Sequence, residues 1–295
     1  MPTRGRTIAI ALGVTAGVVL LFFLTVWVLV SVLEGGGLPG GPRVAIVELE
    51  GIILESEAVV RELEEHQGNP AVRAVVIRVN SPGGVVAPTQ EIYAAVQRLR
   101  KGKPVVASLG SVAASGGYYV AAAADRIYAN PGTLTGSIGV VMQLANLEGL
   151  LKKVGVNYVV VKSGQYKDIG NFARTMTPEE RRMLQAMLDD VHNQFIDAVA
   201  EGRKLPRTEV LGFADGRIVS GQQAKSLRMV DALGGLDEAI ADAAKLAGLP
   251  EKPKLILPRR RFSLFDFLRN RLGVGGTNPL LTTLPFLKTP LYLMD

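Results

Sequence analysis

Ser115 lies in Gly110–Ala124 (GSVAASGGYYVAAAA), behind a strand-like run and two alanines, and directly ahead of Gly116 and Gly117 at the head of a helix. Small neighbours let a second chain come close, and the first N–H groups of a helix point at whatever binds there. By residue type alone Ser115 fits an N-cap. It fits equally a nucleophile whose tetrahedral intermediate is held by backbone N–H groups. A glycine turn, Ser81-Pro82-Gly83-Gly84, follows the preceding strand. Parallel neighbouring strands end about 5 Å apart, and functional loops of such sheets gather at that edge. Gly83, or Gly84 one residue on, then offers one N–H and Gly116 the other, an oxyanion hole built without side chains. The plain reading of SPGG is a type II turn with glycine at positive φ.

A serine hydroxyl needs a base. The chain has no Cys and only two His, His66 and His192. Both fall in amphipathic helical stretches with charged neighbours, which predicts surface positions. Lysine is then the economical choice, and Lys167 in Lys162–Gly170 (KSGQYKDIG) is the best placed. At a pKa near 10.4 only about 0.04 % of such amines are neutral at pH 7. A dry site that lowers the pKa to about 8 raises this to roughly 10 %. Tyr166 and Ile169 are candidate walls; Asp168, if it faced the same way, would work against the shift. A solvated loop lysine is the competing reading. Ser137, in Thr135–Val140 (TGSIGV), is a further polar group in a tight glycine setting that can orient the amine. No metal and no cofactor are expected: thiolate sites are excluded, H-E-x-x-H is absent, and neither a Walker A motif nor Gly-x-Gly-x-x-Gly after the first strand occurs.

The elements that must position these residues read as α/β. Val44–Leu49, Gly51–Leu54, Val72–Val79, Pro104–Leu109, Arg126–Ala129 and Gly155–Val161 are rich in apolar and, for the most part, β-branched residues and predict strands, with Asn80–Gly84 a turn. Val59–His66, Pro88–Lys101, Pro178–Glu201 and Leu236–Leu246 have helical spacing, and a small-residue helix is expected over Ser115–Ala124. Strands apolar on both faces, alternating with helices, indicate a parallel sheet covered by helices.

Ile8–Leu33 contains no charge and is long enough as a helix to cross a hydrocarbon core of about 30 Å. The run exceeds the h-region of a cleaved signal and ends in bulky VWVLVSVL, so a retained anchor is expected. Arg4 and Arg6 before it and Glu34 after it predict a cytoplasmic N-terminus, residues 1–7, and an extracytoplasmic body. Residues 34–42 (EGGGLPGGP) read as a flexible tether, and 43–250 as the main domain. The net charge of +6 is uneven. Eight basic and three acidic side chains leave +5 on 251–295, the two arginines against Glu34 leave +1 on 1–41, and the body is neutral. A neutral body argues against nucleic acid. The tail piece Arg259–Leu272 interleaves Arg with Phe and Leu, suiting an anionic membrane surface, a neighbouring subunit or a disordered basic tail.

Taken in order, NSPGG, ASGGYYVAAAAD, TGSIGV and SGQYKDIG resemble the signal peptide peptidase A family, membrane-anchored serine proteases of the Clp/crotonase superfamily, in its short single-domain bacterial form. The resemblance covers roughly residues 42–247 and the anchor. It implies a Clp/crotonase-like domain with Ser115 as nucleophile and Lys167 as general base. It also implies Gly83 and Gly116 as oxyanion donors (Gly84 if the register slips by one) and Ser137 assisting the lysine. Implied partners are remnant signal peptides, membrane lipid through residues 8–33, and other copies of the chain in a dome-like ring, octameric in the family, whose neighbouring subunits complete each site. The implied location is the bacterial cytoplasmic membrane. Competing functions are a crotonase-like acyl-CoA enzyme and a non-catalytic membrane scaffold.

Overall fold

The computed structural model describes residues 4–33, 41–258 and 291–293. α1 (Arg4–Leu33) is a single uninterrupted helix. Its Leu12–Leu29 stretch is apolar, unburied and long enough to span a membrane, as a helix apolar on every side requires of its surroundings.

The body is built on β1 (Arg43–Ile53), β2 (Val72–Val85) and β3 (Val105–Ala114), which run parallel in the order β3-β2-β1. Short strands extend this centre. β8 (Lys254–Ile256) pairs parallel with β1, so the sheet takes up residues beyond 250. β4 (Arg126–Ala129) pairs with the first half of β3 and with β7 (Ala232–Leu233), whereas β5 (Leu134–Gly136) pairs with its last three residues and antiparallel with β6 (Ile218–Ser220). β3 therefore divides its length between two partners, and the sheet splays near Ala114.

Both faces of the central strands are buried, as the unbroken apolar runs predict. Val44, Ile46, Ala74, Val76 and Val106 pack against Ala239, Ile240, Ala243 and Ala244 of α9 (Leu236–Leu246). Ala45, Val47, Leu49, Val75, Ile77 and Val79 face the other way. They meet the buried stripes of α2 (Glu57–Gly68), α3 (Val86–Arg100), α4 (Gly116–Ala121) and α6 (Pro178–Arg203). α6 starts where its sequence says, with Pro178 at its first turn and a reciprocal Thr177–Glu180 capping box. Gly202 of α6 lies so close to α4 that a Cβ there would collide with the carbonyl oxygen of Ala122. The remaining short helices are α5 (Glu148–Lys153), α7 (Arg207–Leu211) and α8 (Gly221–Ser226).

Three sequence expectations need correction. NSPGG is not a turn: β2 runs through it to Val85, because a register shift in β1 pairs Ile52 with Gly83 and Ile53 with Gly84. Gly155–Val161 is not a strand. Its β-branched side chains are largely open to solvent, Val159 at 73 % and Val161 at 96 % exposure, because no strand among the described residues pairs with them. Strand propensity needs a pleated partner to express itself. His66 is buried, with Nε2 3.8 Å from Glu62 Oε1, since the last turn of α2 tucks inward beside Leu63. His192 is half-buried, and its Nε2 has no hydrogen-bond partner among the described residues.

Candidate active site

Ser115 is the single residue between the end of β3 and the start of α4. Turning a strand into a helix within one residue forces it to φ 51°, ψ −119°, a conformation that an L-residue adopts at a cost of about 1–3 kcal/mol. Two backbone bonds hold it there: its N–H donates to Gly136 O (2.8 Å) and its carbonyl accepts from Tyr119 N (2.8 Å). The N-cap reading fails on a specific point. Ser115 occupies the N-cap position, but its hydroxyl caps nothing. Oγ is completely buried and, among the described residues, without a hydrogen-bond partner. A native fold rarely leaves a buried hydroxyl unsatisfied without another use for it.

The two glycine segments do converge. A Cβ on Gly116 would lie 3.0 Å from Thr89 Oγ1 and 3.2 Å from Gly83 Cα and Gly84 N. On Gly117 it would lie 2.7 Å from Ser81 O, and on Gly84 it would overlap Ile53 O. These glycines are what allow β2 and the head of α4 to meet beside Ser115. Gly83 has φ 106°, and its N–H donates to the buried Ser81 Oγ at 3.1 Å. Ser137 is buried, has φ 51°, and donates its N–H to Arg217 O (2.8 Å); it follows Gly136, the acceptor of the Ser115 N–H.

Lys167 is exposed in the single chain, in a series of turns where its N–H bonds Gly164 O (3.2 Å). Among the described residues no hydrogen bond joins its amine to Ser115 or Ser137. The concern over Asp168 is answered. Its carboxylate accepts from Arg174 (Nε 2.9 Å, Nη2 3.0 Å) and from Lys162 Nζ (2.5 Å), and these cations hold its carboxyl well below the usual range. Arg174 Nη1 also reaches Glu180 Oε2 at 2.8 Å, which lowers that carboxyl to about 2, helped by the Thr177 N–H. Asp168 thus has its charge committed away from Lys167. Tyr166 bonds Glu179 (2.5 Å) rather than walling the lysine. An open cleft of about 430 Å³ beside Arg174 and Glu180 contains neither Ser115 nor Lys167.

The Arg174 clamp escaped the sequence reading. Half of it was legible, since Thr177-Pro178-Glu179-Glu180 writes a capping box, but nothing local says that Arg174 and Asp168 turn toward it.

Comparison with known proteins supplies the family. Residues 97–250 match peptidase family S49, and residues 52–133 match the Clp protease family. The chain is 47 % identical over 218 residues to a protein of Synechocystis sp. assigned as a protease, covering 72 % of this chain and 78 % of that one. It is similar to a protein of Enterococcus faecium assigned as the signal peptide peptidase SppA (36 % over 185 residues, 62 % and 54 % covered). It is also similar to the chloroplastic serine protease SPPA of Arabidopsis thaliana (34 % over 259 residues, 82 % and 38 % covered).

Proposed function

The chain belongs to peptidase family S49, and from that premise we propose that it is a membrane-anchored serine endopeptidase in which Ser115 attacks the peptide carbonyl and Lys167 is the general base. The observation that carries the reading is the Ser115 hydroxyl, buried, unpartnered and held on strained backbone between two glycine segments. Neutral Lys167 takes the proton from Oγ as the C–O bond forms. Backbone N–H groups of Gly116 and Gly83 hold the oxyanion, Gly83 giving up its bond to Ser81 Oγ. The lysine then returns the proton to the leaving amine, and water hydrolyses the acyl-enzyme. Ser137 orients the amine.

Because Lys167 is exposed in one chain, the dry environment its chemistry needs comes from a neighbouring copy in a ring. The uncovered apolar residues of 154–161 support that assembly. The domain is of Clp/crotonase type and extracytoplasmic, α1 is its anchor, and its substrates are remnant signal peptides and similar apolar, membrane-associated segments. The test is labelling with a serine-directed acylating probe followed by peptide mapping. Label is expected on Ser115 of the assembled protein and not on its Lys167→Ala variant. Peptide hydrolysis that persists at full rate in both Ser115→Ala and Lys167→Ala ends the assignment.

A further inference from the structure

The charges of the folded domain are sorted along β1. The strand starts at Arg43, whose neighbours across the sheet are Val72 on β2 and Lys254 on β8. Arg73, Lys101, Lys103 and Lys252 belong to the same starting edge, where the Pro104 carbonyl accepts from Val75 N. Lys103 is held there by donating from Nζ to the carbonyls of His66 and Asn69, both at 2.6 Å. Burial and the neighbouring Arg73 both lower the pKa of this amine, so two cations sit side by side. Arg73, Lys101, Lys252 and Lys254 are exposed, and among the described residues their side chains have no hydrogen-bond or ion-pair partner. Of the carboxylates here, Asp125 faces Arg100 at 3.5 Å and Asp242 faces Arg126 at 2.8 Å, with Glu251 a remaining counter-charge. An open cleft of about 380 Å³ is lined by Arg73 and Lys103 together with apolar Val72, Pro104 and Leu246. The other end of β1 carries exposed carboxylates instead, Glu50 and, just past the strand, Glu55.

We propose that this edge is a docking face for the anionic phospholipid headgroups of the membrane that α1 enters, with lipid phosphates lying against Arg73, Lys101, Lys252 and Lys254. Chain connectivity supports it. From Leu33, the end of α1, to Arg43 the chain has ten residue steps, which reach at most about 36 Å. The chain therefore enters the domain at the basic edge, within a short tether of the lipid surface. Charge supports it as well. Each lysine or arginine near an anionic leaflet is attracted over about one Debye length, roughly 10 Å at 0.1 M salt. Glu50 lies seven residues further along β1, more than about 20 Å away, so the repelled end stays outside that range. Docked in this sense, the domain turns the end of β3 that leads into Ser115 away from the lipid. None of this depends on the chemistry of Ser115, so loss of the peptidase assignment would leave the docking face standing.

The chain has no cysteine, so a single thiol reporter can be placed on the full chain reconstituted in lipid nanodiscs. Gly102→Cys puts it at the basic edge, where a Cβ meets only Leu99 O at 4.0 Å. Glu55→Cys puts it at the far end of β1. Each thiol carries a bimane dye that is quenched by a lipid with a nitroxide on its headgroup. Replacing neutral phosphatidylcholine by a mixture with about 30 % phosphatidylglycerol, at about 0.05 M salt, should raise quenching at position 102 about 2–5-fold and leave position 55 unchanged. Raising salt to about 0.5 M should abolish the rise. The combined changes Arg73→Gln, Lys101→Gln, Lys252→Gln and Lys254→Gln should abolish it too, with thermal unfolding unaltered. Should that variant fold poorly, the salt comparison on the unaltered edge decides. Equal quenching at 102 in the two lipids, a rise at 55 instead, or a rise that survives either treatment overturns the docking face.

Discussion

Two regions of this molecule are made of similar residues and end differently. The strands β1 to β3 and the segment 154–161 are both rich in valine and isoleucine or tyrosine. In the strands Val44, Val47, Val75 and Val76 have no exposure, and in the segment Val156 is half exposed and Val161 almost entirely so. The difference is completion. The strands find partners on both edges and helices on both faces within one chain; the segment pairs with no strand among the described residues, and Tyr158 meets only the ring of Phe172. The residues of the proposed site divide along the same line. Ser115, Gly83, Gly116 and Ser137 belong to the completed region and are fixed by backbone bonds and close glycine contacts. Lys167 belongs to the open one. The proposed mechanism would then have a site half assembled by folding and half by association, with activity tied to assembly.

The sharpest way to break the comparison is to remove one residue from each half. Ser115→Ala and Lys167→Ala should each lower kcat/KM for peptide hydrolysis by about 10³-fold or more, with assembly unchanged by sedimentation. A large loss in only one of them means that the halves do not form one site.

The next effects are on folding and should fall on the completed region alone. Leu109→Ala opens a cavity in a closed core and should cost about 2–5 kcal/mol in denaturant titration. Gly84→Ala drives a methyl into the Ile53 carbonyl and should cost about 1–3 kcal/mol or more. Gly68→Ala, where a Cβ meets nothing within 4 Å, should be neutral or slightly stabilising. In the open region the pattern inverts. Val159→Asp with Val161→Asp should leave the stability of the single chain within about 0.5 kcal/mol. The same pair should lower both the sedimenting mass in detergent and the peptidase rate. A stability loss as large as that of Leu109→Ala would show that the segment packs within its own chain.

The smallest effect concerns the clamp beside Lys167. The carboxyls of Asp168 and Glu180 are both depressed, so their contribution to loop order is present above the ordinary carboxylate range. It fades as pH falls through about 4 toward 2, when protonation releases Arg174. Hydrogen exchange across 162–180 should accelerate over that interval while the β1–β3 amides stay protected. Arg174→Ala should show the fast exchange already at neutral pH. Equal protection of the loop at pH 7 and pH 3 would show that the clamp does not order it.

Much of this was legible residue by residue. The charge-free run of α1, the capping box of α6, the limits of α9 and the apolar strands carry their signals within a few positions, because hydrophobic periodicity and end-capping are local. The small-residue setting of Ser115 was legible too, but its meaning was not. N-cap and nucleophile look alike in sequence; the structure speaks only against the N-cap, through the positive φ and the absent cap bond.

Sequence alone therefore determined which segments are apolar, where helices begin and which side chains are available for chemistry. The tertiary structure decided that SPGG is strand and not turn, that Asp168 faces Arg174, that 155–161 is not a strand and that Leu291–Leu293 reaches an edge some 200 residues earlier in the chain. Each of these depends on which partner a backbone finds across the fold. Hydrogen-bond register, close approach and burial are properties of two segments at once, and neither segment carries them by itself.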